Sequence, residues 1–147
     1  MDNDRRRIGI ELRSTTNLFK RKIVAQKPPE LEESTGIHGF DLKFFYDIQN
    51  CDIFQKDFAA HFSIRRSTAT NMLKLMETNG LILREPVPYD ARLKKIILTE
   101  KAIALHKQIE QHIALSENVI RKGITPEELE VFFSVIDKIK NNLEELE

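Results

Sequence analysis

The sequence is poor in the residues that staple a fold covalently or hold it on a metal. It has a single cysteine, Cys51, and no tryptophan. One thiol excludes a disulfide framework within the chain and any cysteine-cluster zinc site. Five glycines and five prolines in 147 residues exclude a collagen-like or Gly/Pro-rich disordered chain. No run of about 18 apolar residues occurs, so no segment reads as a membrane span. The charged start, Met1 to Arg7, leads into no apolar stretch of the kind a secretory signal carries, and the expected location is cytoplasmic. Signatures of catalysis are missing as well. There is no phosphate-cradling glycine loop, no His-Glu-x-x-His and no nucleophile–base spacing, so neither an enzyme nor a cofactor is expected. His106 and His112 lie six apart, a poor interval for two ligands on one helix face, and no metal site is expected.

What is present suits one helical domain. Hydrophobic residues make up 41% and charged residues 31% of the chain, and a charged share above the usual ~25% points to long solvated helices. The formal net charge is zero, from 23 basic and 23 acidic residues, but the charges are unevenly spread. Residues 55–99 carry eight basic and four acidic side chains, whereas residues 100–147 carry six and ten. A basic middle segment is the electrostatic footprint to look for in a nucleic-acid-binding chain.

Periodicity orders the elements. Residues 5–25 read as a helix with Ile8, Leu12, Phe19 and Ile23 on one stripe, ended by Pro28-Pro29. A second helix is expected over 37–50, with Phe40, Phe44, Phe45 and Ile48 as its apolar face. A short helix over 54–62 turns at Ser63-Ile64 into another over 65–79. This last buries Ala69, Met72, Leu73 and Met76 at helical spacing, and Gly80 stands just past its end. Leu81–Arg84 and Lys95–Leu98 read as strands, joined by a long loop containing two prolines rather than by a two-residue turn. Thr99 is placed to cap a long helix that runs to Lys122 before Gly123. Thr125-Pro126-Glu127-Glu128 carries a capping box with proline at the first helical position. The fold class is therefore mainly α with a small β-hairpin wing, an α+β chain.

A helix–turn–helix followed directly by a basic hairpin is a winged helix, and its shape suits duplex DNA. Its second helix fits the major groove, where base pairs present distinct donor and acceptor patterns. Ser67, Thr68, Thr70 and Asn71 are short polar side chains suited to base edges. Arg65, Arg66 and Lys74 flank them and suit phosphates or guanine. At the wing, Arg92 suits a narrow minor groove, with Lys94 and Lys95 behind it. Asp90 is expected to hydrogen-bond the wing loop or orient Arg92.

These same residues resemble a known family. Asp90-x-Arg92-x-Lys94 followed by Ile97-Leu98-Thr99-Glu100-Lys101 is similar to the wing pattern of MarR-type transcriptional regulators. Ser67-Thr68-Ala69-Thr70 and Leu75-Met76-Glu77-x-x-Gly80-Leu81-Ile82-x-Arg84 resemble that family's recognition helix and the start of its wing. Three positions depart from the pattern. Arg65 stands where a small polar residue is common, Ser63 where glycine is common, and Ala102 where glycine usually follows the Leu-Thr pair. The resemblance implies a homodimer on a pseudo-palindromic duplex operator. Residues 1–36 would be an N-terminal dimerisation helix and linker, 37–99 the winged helix-turn-helix lobe, and 100–147 the C-terminal dimerisation helices. It also implies repression relieved by a signal, for which a small apolar or phenolic effector near Phe19, His38, Phe40 and Phe44 is the expectation. Cys51 reads as a packed or idle thiol. The competing reading is a winged-helix module that binds protein and not DNA.

Overall fold

The computed structural model describes residues 5–26 and 39–146, which hold six α-helices and one two-stranded antiparallel sheet. Helix α1 spans Ile8–Phe19 and continues as a π-helical turn, Lys20–Val24. Helix α2 is Gly39–Asp47, α3 Gln55–His61 and α4 Arg66–Thr78. Strands β1, Ile82–Val87, and β2, Asp90–Leu98, form the hairpin. Helices α5, Glu100–Arg121, and α6, Pro126–Glu144, complete the order. No described helix is long and apolar enough to cross a membrane. Pro28-Pro29, residues 37 and 38 of the expected second helix, and His38 among the expected effector residues lie outside the described residues.

The chain divides into two compact units, Met1–Ala114 and Leu115–Glu147. In the first, one apolar core gathers Leu42 and Phe45 of α2, Phe58 of α3, Ala69, Leu73 and Met76 of α4, and Ile82 and Ile96 of the hairpin. The first half of α5 closes it with Ala102, Leu105, Ile109 and Ile113. By packing, then, the lobe runs on past residue 99 into α5. Ala102 is fully buried there, at the position where the related pattern has glycine. In the second unit, α6 begins with the capping box: Glu128 N donates to Thr125 Oγ1 at 3.2 Å and Thr125 N donates to Glu128 Oε2 at 2.9 Å. Val131, Phe132, Phe133, Val135 and Leu143 of α6 are exposed in the single chain.

The hairpin differs from the sequence expectation. The strands are longer, and only Pro88 and Tyr89 separate them, so the long loop is replaced by a two-residue turn. The pairing is regular from Ile82↔Leu98 to Pro86↔Lys94, then slips so that Val87 faces Asp90. Prolines signal a loop because they cannot donate to a ladder. In a sheet of two strands, however, each strand has a free edge, where proline is tolerated. The slip lets Ala91, Arg92 and Leu93 bulge from the strand and re-aims their side chains.

Three described residues are left-handed, Ser63, Gly80 and Gly123, and the first two shape the turns of the lobe. Gly80 (φ +70°) closes α4 in a Schellman arrangement, with Leu81 N donating to Met76 O at 2.9 Å and Gly80 N to Glu77 O at 3.0 Å. Thr99 then fastens the start of α5 to this turn. Its hydroxyl donates to Gly80 O at 2.6 Å and accepts from Ala102 N at 3.2 Å. Ser63, between α3 and α4, has φ +51° and carries a side chain in a region that favours glycine. Around Gly80 a Cβ meets nothing nearer than Lys101 Cδ at 3.9 Å, so only the backbone conformation opposes a side chain. Gly80→Ala should cost about 1–2 kcal/mol, and Ser63→Gly should raise stability by up to about 1 kcal/mol. Urea titration of both variants reads these opposite signs.

His106 is a polar exception within the lobe. It is 2% exposed, neither ring nitrogen has a hydrogen-bond partner, and its ring stacks on Tyr46 with centroids 3.8 Å apart. Burial pushes its pKa below the ordinary value, opposed by the charge of Glu110, reinforced by Lys43 and opposed again by Asp47. The unfolded chain takes up this proton near pH 6.5, while the folded chain resists it. Below that pH the unfolded state therefore holds more protons, so the stability His106 contributes is complete above about pH 6.5 and declines as pH falls. The urea midpoint should drop between about pH 7 and pH 5. His106→Phe, which keeps the stack and removes the titration, should flatten that drop, and an unchanged slope would sink the assignment.

Candidate nucleic-acid interface

The lobe presents a polar helix face and, beside it, a basic cleft. The helix is α4, whose apolar side is consumed by Ala69, Leu73 and Met76, so its other side points outward. Ser67, Thr68, Asn71 and Lys74 are exposed there. Among the described residues, the Ser67, Thr68 and Asn71 side chains make no hydrogen bond. The helix opens with Arg66, preceded by Arg65 in extended conformation, and has no acidic residue in its first turn. Its macrodipole and the two arginines thus add positive potential at one end.

Thr70 is different. It is half-buried, its hydroxyl donates to Arg66 O at 2.9 Å, and it accepts from Gln55 Nε2 at 2.7 Å. Gln55 Oε1 in turn accepts from Arg84 Nη1 at 3.4 Å. Arg84 also faces Glu77 at 3.6 Å, with its side chain only 24% exposed. The hydroxyl of Thr70 is therefore occupied by the joint between α3 and α4.

On the wing, the Arg92 side chain is 90% exposed, yet Asp90 holds it. Asp90 Oδ1 accepts from Arg92 N at 2.9 Å and Nε at 3.2 Å, and Oδ2 accepts from Nη2 at 3.2 Å. These hydrogen bonds, the side-chain ones foremost, keep the Asp90 carboxyl below the usual carboxylate range. Lys94 is exposed, while Lys95, on the opposite side of the pleat, is half-buried and faces Asp52 at 3.8 Å.

Between α3, α4 and the wing lies a cleft of about 590 Å³. Lys56, Arg66, Arg84, Arg92 and Lys94 line it, and no carboxylate does. Arg66, Thr70, Arg92 and Lys94 of the sequence-predicted set meet there, whereas Arg65 and Lys95 lie off it. Sequence reasoning left Gln55, Lys56 and Arg84 out of the site. Lys56 was visible only as a member of the basic middle segment, and Arg84 there and at the end of the motif that opens the wing. Of the residues expected at an effector site, Phe19 and Phe40 meet with ring centroids 5.7 Å apart. Phe44 instead joins the lobe's aromatic cluster with Phe45, Phe58 and Phe62. Cys51 is exposed.

The class is thus a winged helix-turn-helix chain with a basic, polar-faced lobe. Residues 49–94 match the MarR family, and the fold is that of MarR-type regulators. A putative MarR family transcriptional regulator from Listeria monocytogenes, solved with a 26mer DNA, is 26% identical with a TM-score of 0.70, over 90% of this chain and 87% of that one. S. aureus MepR in its DNA-binding conformation is 25% identical with a TM-score of 0.78, over 94% and 99%. The transcription regulator MarR from Oenococcus oeni PSU-1 is 23% identical with a TM-score of 0.77, over 92% and 99%.

Arg92→Ala should cost about 1–3 kcal/mol of duplex binding. Asp90→Asn removes a negative charge yet should weaken binding about threefold or more, because the amide loses the paired acceptor that holds Arg92. Fluorescence anisotropy against one labelled duplex measures both, and tighter binding by Asp90→Asn would refute the orienting role.

Proposed function

We propose that this chain is a homodimeric, sequence-specific DNA-binding transcriptional regulator acting on a pseudo-palindromic operator. The observation that carries the reading is a basic cleft, with no carboxylate in its lining, to which Arg66 and Thr70 contribute from the same helix α4 that turns Ser67, Thr68 and Asn71 outward. Five cations beside unpartnered hydroxyl and amide groups form a surface that neutralises phosphates and reads base edges at once. The likeness to the L. monocytogenes regulator solved with DNA supports it. So does the structure described as an S. aureus MepR–DNA complex, 23% identical. In this reading Arg66, Lys74, Arg92 and Lys94 engage phosphates or the minor groove, Arg65 and Lys95 extend the field, and Ser67, Thr68 and Asn71 face bases.

Dimerisation belongs to the same proposal. The exposed Phe132, Phe133 and Leu143 of α6, with Ile8, Ile10 and Leu18 of α1, are apolar side chains that a second copy would cover. Two lobes would then address successive major grooves, about 34 Å apart. Repression by obstructing polymerase, relieved by a small apolar or phenolic effector near Phe19 and Phe40, completes the reading.

Anisotropy titrations with the chain's own upstream DNA and a scrambled duplex, at low and physiological salt, test it. Selective binding is expected, with affinity falling steeply as salt rises. If the five cleft cations each displace a counterion, the log–log slope should be about −4 to −5 for each lobe engaged. Absence of binding to either duplex at low salt would favour a winged helix that docks on protein.

A further inference from the structure

We propose that Gln55 is the positioning residue of this interface: one neutral side-chain amide locks the recognition helix α4 to α3 and holds Arg84 at the cleft without cancelling its charge. The proposal deepens the DNA-binding reading and rests on it.

Gln55 is the first residue of α3 and is half-buried. Its Nε2 donates to Thr70 Oγ1 at 2.7 Å and reaches Arg66 O at 3.4 Å. Its Oε1 accepts from Arg84 Nη1 at 3.4 Å. Chemistry alone settles which way the amide points. The Arg66 carbonyl beside Nε2 can only accept, and the Thr70 hydroxyl, which donates to that same carbonyl, is free to accept. A guanidinium can only donate. The nitrogen must therefore face α4 and the oxygen must face the wing. The flipped amide would oppose donor to donor and acceptor to acceptor.

This arrangement requires a donor and an acceptor on one planar group of glutamine's length. Glutamate has no donor for α4 and would neutralise Arg84, and asparagine is one methylene too short. The consequence concerns recognition more than folding. Lys56, Arg66, Arg92 and Lys94 crowd the same cleft with like charge. Glu77 faces Arg84 from one side at 3.6 Å, and the neutral amide of Gln55 holds it from the other without adding a second negative charge. At the same time the bond to Thr70 sets the angle between α3 and α4, and hence the reach of Ser67, Thr68 and Asn71.

The test uses the full chain and two probes: the duplex that wild type enriches from a random-sequence DNA pool, and a shuffled duplex of the same composition. Thermal melts first establish that each variant folds. Gln55→Ala is expected to lose about five- to tenfold affinity for the enriched duplex, one hydrogen bond's worth, with a smaller loss on the shuffled one. Gln55→Glu should weaken binding to both, with a salt slope shallower by about one. Combining Gln55→Ala with Thr70→Val should cost no more than the larger single loss, as coupled residues do. Thr70→Val, which breaks the same bond from the other side, should reproduce the loss of selectivity where Gln55→Ala does not fold. Unchanged affinity in folded Gln55→Ala, or equal losses on the two duplexes, would overturn the positioning role. Wild type that enriches no sequence would instead bring down the DNA-binding reading, and this inference with it.

Discussion

The lobe depends on one shared hydrophobic core. Phe58, Leu73, Met76 and Ile82 of α3, α4 and the hairpin are buried there together with Leu42 and Phe45 of α2. Ala102, Leu105, Ile109 and Ile113 of α5 complete its wall. Each of the larger side chains so covered contributes roughly 1.5–3 kcal/mol. That burial fixes the rotation of α4 about its axis. Once Ala69, Leu73 and Met76 face inward, the 3.6-residue repeat puts Ser67, Thr68 and Asn71 outside. The outer face of α4 is thus a by-product of how its inner face packs.

Polar joints then finish what packing begins. Thr99 serves three partners at the α4–β1 turn and the start of α5, which ties the base of the wing to the first turn of the long helix. Asp90 restrains an arginine that is otherwise in solvent, and Gln55 restrains one that is largely covered. Two cations of the same face are thereby held by two chemistries. A carboxylate grips Arg92 and lowers its local charge, whereas Arg84 is shared between the Glu77 carboxylate at 3.6 Å and an amide that adds no charge of its own. Surface ion pairs of the first kind add little stability. Their effect is on direction, since an oriented side chain loses less freedom on meeting a ligand.

Local signals account for much of the architecture, because they act over a few residues. The capping box at Thr125, the left-handed Gly80 and the apolar stripe of α4 were all legible from spacing. Ser63 at a position suited to glycine and the Asp90-x-Arg92 pair came instead from the resemblance to a family pattern. The hairpin was misjudged for a physical reason. Two prolines speak of a loop, but Pro86 sits in a strand with an open edge, where the ladder tolerates it, and Pro88 sits in the turn itself. Nor could the chain reveal that Phe44 would turn into the lobe's aromatic cluster while Phe40 met Phe19. Helical spacing says that such residues share a face and not what the face meets.

By itself, then, the sequence determined the order of the elements, the ends of most helices, the basic middle segment and the residues on the outer side of α4. Those follow from backbone preferences and periodicity, which reach no further than a turn or two. The tertiary structure decided which cations share a cleft. It joined Lys56, Arg66 and Arg84 with Arg92 and Lys94, and it left Lys95 on the far side of the pleat beside Asp52. It also made Gln55 the meeting point of residues 11, 15 and 29 positions away. No local rule carries that information, because hydrogen bonds at such separations exist only after the hydrophobic core has brought α3, α4 and β1 together.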